Sequence, residues 1–75
     1  MDKTFKKAEN ILARNRKKWL ALENVVSAGI GRTDKGDICI LVLLARDNNS
    51  IRRMIPGEID GIPIEVRVSG KIDVF

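Results

Sequence analysis

The longest apolar run in the chain is residues 38–45, and its first seven residues read Ile38-Cys39-Ile40-Leu41-Val42-Leu43-Leu44. Turn-forming residues flank this run on both sides, and its length and β-branched content predict a β-strand rather than a helix. No polar residue alternates with the apolar ones. A strand that is apolar on both faces is typical of a central position in a sheet.

A hairpin is predicted on the N-terminal side of this strand. Residues 25–31 read Val-Val-Ser-Ala-Gly-Ile-Gly, a β-type segment, and residues 33–37 read Thr-Asp-Lys-Gly-Asp, a turn. Two strands joined by such a segment favour antiparallel pairing. Gly29 and Gly31 indicate a bulge or a close backbone approach in the first strand.

A connector and a further strand are predicted on the C-terminal side. Ser50 is placed to cap a single helical turn ending at Met54, and Pro56-Gly57 stops it. Residues 62–68 alternate between apolar and polar side chains, which predicts a strand with one buried face. Ile72 and Val74 are expected to add a short last strand.

An amphipathic helix is predicted over residues 2–23, with Asn24 as its stop. Its apolar residues recur at helical spacing and fall on one side of the helix: Phe5, Ala8, Ile11, Leu12, Trp19 and Leu22. The predicted class is therefore α+β, in the order α-β-β-(short helical turn)-β, with the helix packed on a three- to four-stranded, mainly antiparallel sheet. Residues 1–75 form a single domain, divided into the helix (2–23) and the sheet (24–75).

The net charge of +4 is carried by the helix. Residues 2–23 contain seven basic and three acidic residues, whereas the remainder contains seven of each. All basic helix residues except Arg16 project away from the apolar side. This basic ridge is either an ordinary solvated face or a surface that contacts phosphates: Lys3, Lys6, Lys7, Arg14, Lys17 and Lys18.

The composition leaves little catalytic chemistry. Histidine and tyrosine are absent, which removes the common Ser/His and Cys/His relays and most zinc geometries. Cys39 lies inside the apolar run and is expected to be a buried residue. Glu58 and Asp60 are interpreted as a solvated loop. We predict that the chain is not an enzyme, and we assign no catalytic, cofactor-binding or metal-binding residue.

The location is expected to be cytoplasmic and the chain soluble. The apolar run is far shorter than the roughly 20 residues that cross a bilayer, and the N-terminus is charged. A single cysteine gives no reason to invoke an oxidising compartment. No membrane association and no small-molecule ligand are expected.

A family resemblance covers residues 24–70. The segments Asn24-Val25-Val26-Ser27-Ala28-Gly29-Ile30-Gly31 and Ile55-Pro56-Gly57-Glu58-Ile59-Asp60-Gly61-Ile62-Pro63 resemble a poorly characterised bacterial segment that precedes trypsin-like peptidase domains. The present sequence departs from that pattern at Ser27-Ala28. The resemblance implies an accessory or stand-alone interaction domain, and no catalytic residue is carried over from it.

Two functions are compatible with these features. A helix laid across one face of the sheet leaves the other face of the apolar strand beside water, and such patches mark contact surfaces. The first hypothesis is a non-enzymatic small interaction module that self-associates as a homo-oligomer or docks a protein partner. The alternative is nucleic-acid binding without sequence specificity through the basic ridge. A small-molecule site would require an oligomer that builds a pocket.

Overall fold

The computed structural model describes residues 3–68 and confirms the predicted α+β fold. Its helices and strands, in chain order, are α1 (Lys3–Leu20), β1 (Val25–Arg32), β2 (Ile38–Leu44), α2 (Asn49–Met54), β3 (Glu58–Ile59) and β4 (Ile62–Val68). The strand predicted around Ile72 and Val74 lies outside the described residues.

The sheet has the strand order β1-β2-β4-β3, so the apolar strand β2 is an inner strand, as predicted. β1 and β2 form an antiparallel hairpin, with Ile30 opposite Ile40. β4 runs parallel to β2, with Ile40 opposite Ile64, and β3 runs antiparallel to β4. A parallel neighbour requires a crossover of a dozen or more residues, and residues 45–61, which contain α2, supply it.

Two turns depend on backbone conformations that favour glycine. In the β1–β2 hairpin, Gly36 has a φ of 90°. Between β3 and β4, Asp60 and Gly61 have φ values of 50° and 82°. Positive φ at both central residues is the pattern of a type I′ turn, for which Asp-Gly is a preferred pair. Glu58 and Asp60, predicted to lie in a solvated loop, instead belong to this small hairpin.

Three local features differ from the predictions: the end of α1, the cap of α2 and the bulge in β1. Helix α1 ends at Leu20 rather than residue 23. A short turn follows, and Asn24, with a φ of 76°, is the last residue before β1. The cap of α2 is Asn48 rather than Ser50, because the Asn48 Oδ1 accepts from the Ile51 N–H at 3.1 Å. The extra residue of β1 lies between Val25 and Ser27 rather than at a glycine.

The hydrophobic core lies on one face of the sheet. Ala8, Ile11 and Trp19 of α1 are at most 1% exposed and belong to the same buried cluster as the even-numbered residues of β2. Ile51 of α2 joins this cluster, as does Ile55, which follows α2. Trp19 is therefore a core residue, as predicted. Because both helices contribute to this cluster, they cover the same face of the sheet.

Asn15 interrupts the apolar side of α1 without leaving a buried polar group unpaired. Its Nδ2 donates to the Ile11 carbonyl oxygen at 2.9 Å, one turn earlier in the helix. A partly buried amide that is hydrogen-bonded in this way avoids most of the cost of desolvation.

Among residues 3–68, neither helix combines the length and the apolar character that a membrane crossing requires.

Candidate interaction surfaces

The face of the sheet opposite the core contains the odd-numbered residues of β2. Successive side chains of a strand point to opposite faces, so Cys39, Leu41 and Leu43 point away from α1. Leu41 and Leu43 are half-buried, yet neither packs against the core cluster. We call this surface the open face. The odd-numbered residues of the neighbouring strands β1 and β4 complete it: Ser27, Gly29, Gly31, Pro63, Glu65 and Arg67.

The open face is recessed along β1, because the side chains there are small. Ser27, Gly29 and Gly31 supply small side chains or none. A Cβ atom at Gly31 would lie 2.5 Å from Leu41 Cδ1, so the Leu41 side chain rests over this glycine. Gly29 and Gly31 predict a bulge or a close backbone approach, and the close approach is at Gly31. The result is a shallow apolar strip along β1 and β2.

On β1, β2 and β4 the charge of the open face is confined to β4 and is balanced, whereas Glu58 of β3, opposite Pro63, adds a carboxylate at its edge. Arg67 Nη2 donates to Glu65 Oε1 at 2.6 Å. This hydrogen bond and the Glu65 charge raise the pKa of the Arg67 guanidinium further above its usual range. Glu65 and Arg67 lie opposite Leu41 and Leu43 in the parallel register. The ion pair therefore borders the two leucines, and sequence patterning assigned it no role.

Cys39 is fully buried, as predicted, but it lies on the open-face side of β2 and not in the main core cluster. Burial raises the pKa of its thiol, and the Glu65 carboxylate raises it further. Both effects favour the neutral thiol over the thiolate, which is the nucleophilic form. The geometry supports a packing role for Cys39.

We expect ionisation of the Cys39 thiol to lower the free energy of unfolding above pH 9. Because folding raises the thiol pKa from its ordinary value of 9.0, the Cys39 contribution is fully present below pH 9 and is lost as pH rises through the folded-state pKa. The free energy of unfolding, measured in urea at pH 7.5 and pH 10, should therefore fall more in the wild type than in Cys39→Ala. Equal losses in the two proteins would show that Cys39 does not titrate differently in the folded state.

The basic ridge lies on the outer side of α1, with all six predicted residues exposed. Two of its residues approach the β3–β4 turn: Lys7 Nζ donates to the Asp60 carbonyl oxygen at 3.0 Å, and Arg14 Nη2 lies 4.0 Å from Asp60 Oδ2. The other four form no ion pair within residues 3–68: Lys3, Lys6, Lys17 and Lys18. The ridge and the open face are on opposite sides of the molecule.

Arg16, which the projection placed apart from the ridge, contacts the free edge of the sheet. Its Nε donates to the Ala28 carbonyl oxygen at 3.4 Å. The Thr33 N–H donates to the Asp37 carbonyl oxygen across the hairpin, so the backbone groups of Thr33 point toward β2. The backbone N–H and C=O groups of successive residues in a strand point alternately to its two edges. By this alternation the Ala28 and Ile30 carbonyls point away from β2, toward the free edge. Arg16 therefore partly occupies an otherwise unpaired edge.

Three open depressions lie on the described surface. One follows the outer side of α1 and is lined by Ala13, Arg16, Lys17, Leu20 and Ala21. Two others lie at opposite ends of the sheet, one beside Gly36 and Gly61 and the other beside Asn24 and Arg46. Glu58 and Asp60 are both exposed, Glu58 in β3 and Asp60 in the following turn. Within residues 3–68, no group of three or more potential metal-ligating side chains is gathered.

Comparisons with known proteins find no match to this chain. No protein-family model matches the chain, and no curated protein or solved structure matches it. The resemblance of residues 24–70 to the segment before trypsin-like peptidase domains is untouched by these comparisons and stays a prediction. The open face and the basic ridge are the two candidate functional surfaces.

Proposed function

We propose that this chain is a non-enzymatic interaction module that binds a protein surface through its open face. The observation that carries the proposal is the position of β2, an inner strand whose Leu41 and Leu43 lie outside the core cluster. Both helices pack on the other face, so no helix of residues 3–68 covers these leucines. Burial of apolar surface is worth about 25 cal/mol per Å².

The dimensions of the open face favour a modest interface. A strand of eight residues such as β1 is about 27 Å long, and three strands spaced about 4.8 Å apart are roughly 14 Å wide. The product is a footprint of roughly 400 Å², about half of the 800 Å² or so that each partner buries in a standard complex. We therefore expect association that is reversible and concentration-dependent rather than obligate.

The residue inventory supports a binding role over catalysis. The sequence contains no histidine and no tyrosine, which leaves carboxylates, lysines and Cys39 as the groups for proton transfer. Cys39 is buried, and its thiol pKa is raised. A nucleophilic cysteine needs the opposite setting, one that lowers the pKa and exposes the sulfur.

Leu43→Glu is the variant that tests the open face. A carboxylate in the centre of an apolar contact must be desolvated on binding, so proteins retained on the immobilised wild type should be lost from Leu43→Glu. Lys6→Glu, on the opposite side of the molecule, is the matched control and should retain them. Captured proteins are identified by mass spectrometry and then titrated as purified proteins against the same three forms. Identical binding to wild type and Leu43→Glu would contradict the proposal.

A second candidate function is nucleic-acid binding without sequence specificity through the basic ridge. The observation that favours it is the set of four exposed lysines on α1 that form no ion pair within residues 3–68: Lys3, Lys6, Lys17 and Lys18. Clustered cations of this kind release counterions from a phosphate backbone. Because the ridge faces away from the open face, the two functions use separate surfaces.

A further inference from the structure

We propose that the occupant of the open face is a second copy of this chain, packed sheet against sheet about a two-fold axis. This inference rests on the proposed function, since it names the partner of the same surface. In a two-fold interface the same patch is used on both subunits and must be complementary to itself. The charge and the shape of the open face both support self-complementarity.

The charge distribution allows two positively charged copies to meet through this surface. On β1, β2 and β4 the open face carries one cation and one anion, Arg67 and Glu65, which are paired with each other, and Glu58 of β3, opposite Pro63, adds a second anion at its edge. The excess positive charge lies on α1, on the far side of the sheet. Two packed sheets are about 10 Å apart, so the two ridges are separated by several layers and by much more than the Debye length of about 8 Å at physiological salt.

The ion pair also supplies a self-complementary contact. In the single copy, Arg67 and Glu65 are two residues apart on β4 and bond side by side. The Arg67 and Glu65 side chains are 47% and 32% exposed, so both are accessible to a facing molecule. Across a two-fold axis, Arg67 of one copy faces Glu65 of the other, and the two pairs form a four-membered network around Leu41 and Leu43.

The shape of the open face suits two sheets in face-to-face contact. Ser27, Gly29 and Gly31 leave the β1 side low, whereas Leu41 and Leu43 stand in the middle strand. In aligned sheet packing, side chains from the two inner faces interdigitate. With Arg67 of one copy facing Glu65 of the other, the two β2 strands also face each other, so the leucines of both copies meet in the centre of the contact.

Pairing of two copies through the free edge of β1 is disfavoured by the same structure. Such pairing brings the α1 flanks together, with Arg16 and Lys17 of each copy near their equivalents, and like charges repel. Arg16 already donates to the Ala28 carbonyl on that edge. Cations on an edge strand are a common means of preventing edge-to-edge association.

Sedimentation equilibrium from 5 to 500 µM tests the dimer. The wild type should shift from monomer to dimer across this range, and Leu43→Glu should weaken the association at least tenfold. Leu43→Thr, which keeps a strand-favouring residue, should weaken it in the same direction, and circular dichroism checks that both variants remain folded. Val26→Glu is the control: Val26 is 53% exposed on β1 but lies at the bulge. Association lost in Val26→Glu and kept in Leu43→Glu would place the interface at the edge and overturn the inference.

A charge exchange tests the cross-copy ion pairs. Glu65→Arg and Arg67→Glu should each be more monomeric than the wild type, because each presents two like charges to its own copy. An equimolar mixture of the two should form a heterodimer, since the opposite charges then face each other. Failure of the mixture to associate more strongly than either variant alone would overturn the two-fold arrangement.

The outcomes separate the dimer from the broader function. A wild type that stays monomeric at 500 µM overturns the second copy as occupant. If capture of another protein still depends on Leu43, the interaction module stands with a different partner. If neither self-association nor capture depends on Leu43, both proposals fail.

Discussion

Replacement of Trp19 by alanine is expected to remove about 3–5 kcal/mol from the free energy of unfolding. Trp19 is 1% exposed and is the largest fully buried side chain among the described residues. A domain of this length has a total stability on the order of 4–11 kcal/mol, at about 0.05–0.15 kcal/mol per residue. The substitution therefore removes a large fraction of the total stability.

Urea unfolding followed by far-ultraviolet circular dichroism measures this loss without relying on tryptophan fluorescence. Trp19→Phe keeps an aromatic ring in the core and should lose clearly less stability than Trp19→Ala. Leu22→Ala, at a half-buried position just beyond the end of α1, provides a second reference. A loss below 1 kcal/mol in Trp19→Ala would mean that α1 does not pack on the sheet through this residue.

The sequence predicted the main elements because their patterns are strong and local. The unbroken run at residues 38–44 indicated an inner strand, and the helical spacing of Ala8, Ile11 and Trp19 indicated the side of α1 that packs on the sheet. Both predictions are confirmed. They depend only on the spacing of apolar residues and on the need to bury them, which a single sequence records directly.

Local capping and turn geometry were partly misassigned, although the signals are present in the sequence. Asp60-Gly61 between Ile59 and Ile62 is a recognised hairpin signal that was interpreted as a loop. The cap of α2 falls on Asn48, two residues before the predicted Ser50. Both asparagine and serine favour this position, so residue type alone does not choose between them.

The candidate surfaces depend on tertiary register, which is less accessible to sequence. That β4 pairs with β2 in parallel, and so places Glu65 and Arg67 beside Leu41 and Leu43, follows from the path of the crossover. The sequence predicted an uncovered face but not its composition. The ridge was predicted residue by residue, yet the contacts of Lys7 and Arg14 with Asp60 join segments about 50 residues apart.

Salt dependence is expected to decide whether the basic ridge binds nucleic acid. If the four lysines that form no ion pair within residues 3–68 each neutralise one phosphate of duplex DNA, the logarithm of the binding constant falls with a slope of about −3.6 against the logarithm of salt concentration. Affinity then drops about 150-fold between 50 and 200 mM salt. Participation of all six residues gives a slope of about −5.4 and a drop of roughly 1,800-fold. Fluorescence anisotropy of labelled duplex DNA measures the slope.

Asp60→Asn separates these two cases. The carboxylate of Asp60 is the one that approaches Arg14, whereas Lys7 contacts the Asp60 backbone, which the substitution leaves in place. Release of Arg14 should steepen the slope by about 0.9, the contribution of one phosphate contact. Lys17→Glu should flatten it, and Leu43→Glu, on the opposite face, should leave it unchanged. Absence of binding at 50 mM salt would reduce the ridge to solvated charge and leave the open face as the functional surface, because the two surfaces share no residue.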